Sequence, residues 1–136
     1  MNKRKGFTLM ELTIVLGLLA ILAAILVPLF LRTTDRARLR SDIQSARVIQ
    51  NAMDLYRLER GTAVGGNNMD EKINNLVEAY YLNRRDARPQ TYRAVWYEYR
   101  GQVRVNLTSV TDTNVRAVAK NLSLDERPMV IGITFP

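Results

Sequence analysis

Residues 12–31 read LTIVLGLLAILAAILVPLFL, twenty residues without a charged side chain. An α-helix of this length spans about 30 Å, the hydrocarbon thickness of a lipid bilayer. Extending the stretch back to Phe7 adds only one charge, that of Glu11. Because so long an apolar run is rare in the core helices of soluble domains, we predict a membrane-spanning helix over residues 7–31.

A short basic segment, MNKRKG at residues 1–6, precedes the apolar run. A basic start followed by an apolar stretch is typical of membrane-targeting signals. An ordinary secretory signal peptide fits poorly, because the run is too long and its alanines (Ala20, Ala23 and Ala24) lie inside it rather than after it.

The orientation of this segment rests on two conflicting features. Five arginines and only two aspartates follow the run within twenty residues, and by the positive-inside rule this count alone keeps the C-terminal side in the cytoplasm. However, the six residues before the apolar run are too few to form the translocated domain. We therefore expect the N-terminus in the cytoplasm and the C-terminal part outside.

Glu11 is the costly residue of the apolar run. A carboxylate within a membrane helix costs roughly 2.5–3.5 kcal/mol or more. In one interpretation Glu11 lies near the membrane interface, where the cost falls. In the other, a cation pairs with it inside an assembly.

Composition excludes several classes of site. The chain has 136 residues and a net charge of +7, with neither histidine nor cysteine. Thiol nucleophiles, Ser-His-Asp triads, Cys/His zinc sites and disulfides are therefore excluded. Three acidic residues (Asp112, Asp125 and Glu126) match no calcium-loop spacing. We predict a protein that is not an enzyme and has neither a cofactor nor a metal site.

Residues 3–12, KRKGFTLMEL, resemble the prepilin processing site of bacterial type IV pilins and type II secretion pseudopilins. The family pattern is a basic leader ending in glycine, then Phe-Thr-Leu, any residue, Glu and an apolar stretch. Pro28 also matches the family. The motif covers residues 1–31, a weaker resemblance continues to about Tyr81, and residues beyond 85 show none.

The resemblance implies cleavage by a prepilin peptidase after Gly6, which leaves Phe7 as an N-methylated N-terminus. It also implies that Glu11 of one subunit faces the Phe7 amine of a neighbour in a filament. An unpaired carboxylate and an unpaired amine are both costly in a low dielectric, so their docking neutralises both. Removing one partner strands the other, so such a pair can control assembly.

On this resemblance we expect a structural subunit of a type IV pilus-like filament, a pilin or a pseudopilin. The filament serves motility or adhesion, DNA uptake or type II protein secretion. The alternative is a single-pass membrane-anchored protein that binds a partner and never polymerises. Missing cysteines favour a pseudopilin or a disulfide-free pilin, whereas a missing Trp- and Pro-rich calcium loop argues against a major pseudopilin.

The expected partners are copies of the chain, other pilins, the prepilin peptidase, the inner-membrane assembly platform and, before assembly, membrane lipid. The expected location is the cytoplasmic membrane first, and afterwards a filament at the cell surface or across the periplasm. Nucleic acid is a possible partner that the sequence does not support. Its best candidate, the arginines of residues 32–47, lacks the interleaved aromatics of such a tract. A solvated helix face, or contact with lipid headgroups or a neighbouring subunit, fits these arginines better.

Gly17 and Pro28 are weak points of the apolar helix, since Pro28 removes one backbone hydrogen bond and clashes with the preceding turn. They are interpreted either as a tolerated membrane-helix kink or, as the family implies, as the limits of a segment that bends or melts in the filament.

The rest of the chain predicts a pilin-like α+β fold, a long N-terminal helix packed on a small antiparallel sheet. Residues 1–6 are the leader, 7–31 the membrane or filament-core helix, and 32–136 the amphipathic half of the helix plus a head domain. Apolar residues at spacings of three or four continue the first helix to about Arg60.

Shorter elements follow within the head domain. Asn68 and Glu71 form a capping pattern for a second helix that runs to about Leu82, with Tyr80 among its inward residues. Apolar and polar residues alternate over residues 91–107, which predicts a β-hairpin with its turn at Arg100-Gly101. A short helix and a final strand are expected around residues 113–122 and 129–135. The aromatics at 92, 96, 97 and 99 suit the sheet core or rim better than an adhesive patch.

Overall fold

The computed structural model describes residues 7–135, so the predicted leader and its cleavage residue Gly6 lie outside the described residues. The elements in chain order are α1 (Leu9–Arg60), α2 (Met69–Glu78), β1 (Val95–Tyr99), β2 (Gln102–Asn106), α3 (Thr113–Lys120) and β3 (Val130–Ile131). The predicted α+β class with a long N-terminal helix is confirmed. The chain divides into two compact units, of which one ends at Thr33 and the other begins at Thr34.

The first unit is the N-terminal part of α1. Every residue from 7 to 33 is exposed, including all the large apolar side chains of the run. Within the described residues, α1 is the one helix long and apolar enough to cross a membrane. The helix continues without interruption through Gly17 and Pro28.

The second unit has a core built on one face of α1. Leu39, Ile43, Ala46 and Ile49 are buried at the spacing of three or four that an amphipathic helix requires. The same apolar cluster includes side chains from α2, α3 and the sheet, among them Ile73, Leu76, Val103, Val105, Val115 and Val130. The amphipathic stripe predicted from the sequence is therefore the core-forming face of this helix.

The sheet has the order β1-β2-β3. The predicted hairpin is confirmed: Tyr99 pairs with Gln102 across Arg100 and Gly101, whose φ angles of 52° and 77° suit a two-residue hairpin turn. β3 pairs with β2 in parallel, so the sheet is mixed rather than wholly antiparallel as predicted. The predicted last strand is also shorter, with two residues in the ladder.

The second helix begins as predicted and ends early. The Asn68 side chain accepts a hydrogen bond from the Glu71 N–H at 2.8 Å, which caps the first turn. The helix ends at Glu78 because Tyr80 adopts a φ of 62° and the Tyr81 N–H bonds back to the Leu76 carbonyl at 2.9 Å. Tyr80 is 96% exposed, so its predicted inward position is wrong.

Candidate assembly and processing site

Thr8 and Glu11 form a reciprocal capping box at the start of α1. The Glu11 N–H donates to Thr8 Oγ1 at 3.2 Å, while the Thr8 N–H and hydroxyl donate to Glu11 Oε2 at 3.0 and 2.9 Å. The first helical backbone bond follows, from the Leu12 N–H to the Thr8 carbonyl at 3.2 Å. Two of the backbone donors left open at a helix start are thereby satisfied by the side chains of this box.

The capping box leaves Glu11 able to accept a further partner. Both Thr8 donors bind Oε2, and Oε1 accepts no hydrogen bond within residues 7–135. An ionised carboxylate has about four acceptor sites on its two oxygens. Glu11 can therefore cap its own helix and still receive a cation from another molecule.

Phe7 precedes this box directly and is 82% exposed. Cleavage after Gly6 would turn the Phe7 nitrogen into a positively charged amine next to the start of α1. A positive charge at a helix N-terminus is unfavourable to the helix dipole, and a carboxylate in the first turn offsets it. The structure thus places the predicted processing residue Phe7 and the predicted assembly residue Glu11 at the same helix end.

The apolar part of α1 has the composition of a helix that packs against other helices. Apart from the neighbouring backbone of its own helix, no atom lies within 4 Å of the position a Cβ would occupy at Gly17, so no packing contact in the described residues requires glycine there. Small residues at 17, 20 and 24 allow helices to approach closely in membranes. Bending or melting between Gly17 and Pro28 in a filament stays a prediction, since α1 is continuous through both.

The arginines that follow the apolar run are mostly solvated. Arg38 lies 3.9 Å from Asp35 and Arg40 lies 3.4 Å from Glu126. The other three (Arg32, Arg36 and Arg47) make no ion pair in the described part of the chain. The Glu126 pKa is lowered, chiefly by the hydrogen bond from the Ser123 hydroxyl, and Arg40 lowers it further.

The acidic residues considered for calcium have other roles. Asp112 caps α3 by accepting from the N–H groups of Asn114 and Val115. Glu126 accepts from Ser123, and the Asp125 pKa is lowered mainly by the Ser123 hydroxyl. Within residues 7–135 no group of three or more Asp, Glu, His or Cys side chains is arranged to hold a metal.

Sequence reasoning missed Thr8, which was noted only as part of the processing motif. The signal that reveals it is Thr-x-x-Glu before an apolar run, the pattern of a capping box. Here the processing motif and the capping motif occupy the same residues.

Comparison with known proteins finds the same motif at the N-terminus. Residues 1–27 match the family model of the prokaryotic N-terminal methylation motif. The chain is 39% identical over 71 residues to the Escherichia coli (strain K12) prepilin peptidase-dependent protein D, covering 50% of this chain and 49% of that protein. It is 29% identical over 97 residues to the type II secretion system core protein G of Vibrio cholerae, covering 71% and 62%.

A third relative is the prepilin peptidase-dependent protein A of Clostridium perfringens, 36% identical over 58 residues, or 43% of this chain and 41% of that protein. The chain thus spans about half the length of the first relative and 62% of the second. No solved structure matches the chain significantly.

These matches show that the chain carries the prokaryotic N-terminal methylation motif and is similar, over 43–71% of its length, to prepilin peptidase-dependent and type II secretion core proteins. The resemblance predicted from residues 3–12 is confirmed, and the curated relatives are type II secretion core proteins and prepilin peptidase-dependent proteins.

Proposed function

We propose that this chain is a structural subunit of a type IV pilus-like filament, and that the filament serves type II protein secretion. One observation carries the proposal: an exposed apolar helix begins at the Thr8–Glu11 capping box, directly after a basic leader. The similarity to core protein G favours secretion over motility, adhesion or DNA uptake.

Processing is the first step of this proposal. A prepilin peptidase cleaves after Gly6, and the new Phe7 amine is methylated and stays positively charged. In the filament this amine meets Glu11 of a neighbouring subunit, through the carboxylate oxygen that the capping box leaves open. The pairing removes the cost of an isolated amine and part of the cost of the carboxylate in an apolar surrounding.

Assembly is the second step. Before assembly, residues 7–31 anchor the subunit in the cytoplasmic membrane, where lipid covers the exposed apolar side chains. The assembly platform then transfers the subunit to a filament whose core consists of the same helices from many copies. The second unit, which begins at Thr34 and is called the head unit below, lies outside the membrane throughout.

The proposal is tested by expressing the full chain with a prepilin peptidase and an assembly platform. Intact-mass spectrometry should show a chain that begins at methylated Phe7, and electron microscopy should show filaments that antibodies to the head unit label. A chain that retains Met1 and stays monomeric in detergent would contradict the proposal and favour the non-polymerising membrane-anchored protein.

A further inference from the structure

The outward face of the β1–β2 hairpin carries aromatic and cationic side chains. Along β1, Tyr97 and Tyr99 are 45% and 42% exposed, whereas Trp96, which precedes Tyr97 in the strand, is buried. Tyr97 is paired across the ladder with Arg104, and Tyr99 with Gln102. Side chains that alternate in this way share one surface of the sheet.

Two guanidinium groups are held on the Tyr99 ring. Arg100 and Arg104 lie over it at 5.3 and 5.1 Å from the ring centroid, and Arg104 Nη2 also donates to Gln102 Oε1 at 3.2 Å. Neither arginine makes an ion pair within residues 7–135. Arg100 is exposed, whereas Arg104 is half-buried and its Nε is shielded from solvent without a hydrogen-bond partner in the described residues. The hairpin therefore positions two positive charges against which the described residues place no carboxylate.

The neighbouring carboxylate does not neutralise this face. Glu98 lies on the opposite side of β1, where the Lys72 ammonium contacts its carboxylate at 2.6 Å. The outward residues of the two strands include no acidic side chain: they are Val95, Tyr97, Tyr99, Gln102, Arg104 and Asn106. This outward surface of β1 and β2, the hairpin face, therefore carries tyrosine rings and arginine charges but no carboxylate that would offset those charges.

Arg100 occupies a position that its residue type disfavours. Its φ of 52° suits asparagine or glycine, and a long side chain there carries a cost in backbone strain. Strain of this kind at an exposed charged residue points to a role for the side chain.

We propose that the hairpin face binds single-stranded nucleic acid. The Tyr97 ring, which has no guanidinium over it in the described structure, stacks on a base, while Arg100 and Arg104 bind the flanking phosphates. This is the combination of exposed aromatics and arginines that residues 32–47 lack. An acidic polypeptide or a sulfated polysaccharide would satisfy the two charges but leave the ring unused.

The test uses the full-length protein in detergent and does not depend on filament assembly. Fluorescence anisotropy measures binding of a labelled oligo(dT) of about 20 nucleotides, longer than the usual site size of one small domain. Matched probes are a DNA duplex of the same length, heparin and polyglutamate. Tyr97→Leu removes the ring but keeps the apolar bulk, and Tyr97→Phe keeps the ring.

Tyr97→Leu should weaken oligo(dT) binding about fivefold or more and leave heparin binding unchanged, while Tyr97→Phe should bind like the unmodified chain. Arg100→Gln with Arg104→Gln should weaken binding and reduce the salt slope of log K by about 1.4, two single-strand phosphate contacts. The control, Arg57→Gln with Lys120→Gln, removes the same charge from exposed positions elsewhere and should change binding far less.

Equal losses in the hairpin and control variants would overturn the inference, because binding would then follow net charge alone. Equal or tighter binding of the duplex, heparin or polyglutamate would also overturn it, as would the absence of oligo(dT) binding. Thermal unfolding of each variant establishes that it is folded, and the probe comparison on the unmodified chain holds even if a variant does not fold.

Discussion

The buried carboxylate of Asp42 accepts a hydrogen bond from the backbone N–H of Thr91 at 2.8 Å. Its other oxygen accepts from the Gln90 N–H at 2.6 Å, and the side chain is fully buried. Asp42 lies on α1, and residues 90 and 91 belong to the connection between α2 and β1. The two hydrogen bonds therefore attach this connection to α1. A buried carboxylate is tolerated when N–H donors meet both of its oxygens.

Substitution of Asp42 by alanine should lower the free energy of unfolding by about 2–4 kcal/mol, because two buried N–H groups lose their acceptor. Denaturant unfolding of the full chain in detergent, followed by Trp96 fluorescence, measures this change. The matched control is Glu78→Ala, which removes an exposed carboxylate without a hydrogen bond in the described structure and should change stability by less than about 0.5 kcal/mol. Similar effects of the two substitutions would show that Asp42 does not anchor the connection.

The two roles assigned to Glu11 can be separated by a pair of substitutions. Glu11→Gln keeps a side chain that can cap the helix but removes the negative charge, whereas Thr8→Val removes the hydroxyl of the box and keeps the charge. If pairing with the Phe7 amine drives assembly, Glu11→Gln should yield processed subunits without filaments. Thr8→Val should still form filaments, with a helix start weakened by about 1 kcal/mol.

Electron microscopy and intact-mass spectrometry of both variants, expressed at equal levels, provide the readout. Normal filaments from Glu11→Gln would contradict the charge-pairing role. Loss of filaments from Thr8→Val alone would assign the function of Glu11 to helix capping instead.

The sequence predicts those parts of the fold that depend on local patterns. Three such patterns determine secondary structure through interactions between near neighbours in the chain. They are the long apolar run, the spacing of Leu39 and Ile43, and the Arg100-Gly101 turn. The contact of Asp42 with Thr91 joins residues 49 positions apart, and no local pattern distinguishes this aspartate from a surface one. The parallel pairing of β3 likewise depends on where the chain returns after α3.

The same reasoning explains what was predicted at the candidate sites. The processing motif is a contiguous pattern, so Phe7 and Glu11 could be proposed as site residues from the sequence alone. The hairpin face needed the structure, because alternation shows that Tyr97 and Tyr99 share a side but not which side the core covers. Helical spacing assigned Tyr80 to the core. Its own positive φ interrupts the helix, so α2 ends early and the Tyr80 side chain points outward.

Substitution of Gly6 by leucine should block maturation, because a bulky side chain next to the cleaved bond hinders the approach of a protease to the backbone. The expected product is the full-length precursor in the membrane fraction, without filaments. Intact-mass spectrometry distinguishes precursor from mature chain. Gly17→Leu, a matched change inside the apolar run, should leave cleavage intact, and mature-sized protein from the Gly6 variant would contradict cleavage at this site.

The stability of the head unit should depend on pH through Ser123. Its hydroxyl donates to Glu126 at 2.7 Å and lowers the pKa of that carboxyl below its ordinary value of 4.5. Because the unfolded chain binds the proton more readily, this stabilisation is complete above the ordinary pKa and is lost as the pH falls through the lowered one. Ser123→Ala should therefore reduce the loss of stability on acidification from about pH 6 to about pH 3.

Denaturant unfolding at several pH values measures this dependence. Ser109→Ala, an exposed serine whose hydroxyl makes no hydrogen bond in the described residues, serves as the control and should follow the pH profile of the unmodified chain. A Ser123→Ala profile that coincides with the control would show that other carboxylates determine the acid sensitivity.

Replacement of Arg100 by asparagine should stabilise the protein while weakening its binding of nucleic acid. Asparagine tolerates a positive φ in a two-residue turn, so the change should add up to about 1 kcal/mol to the free energy of unfolding. The same change removes a guanidinium from the Tyr99 ring and one expected phosphate contact, so the affinity for oligo(dT) should fall. Arg57→Asn, the same substitution on the exposed surface of α1, should destabilise slightly and leave the affinity nearly unchanged. Opposite movements of stability and affinity at position 100 would mean that the strained turn residue serves binding, whereas a loss of both would mean that Arg100 is there to hold the hairpin together.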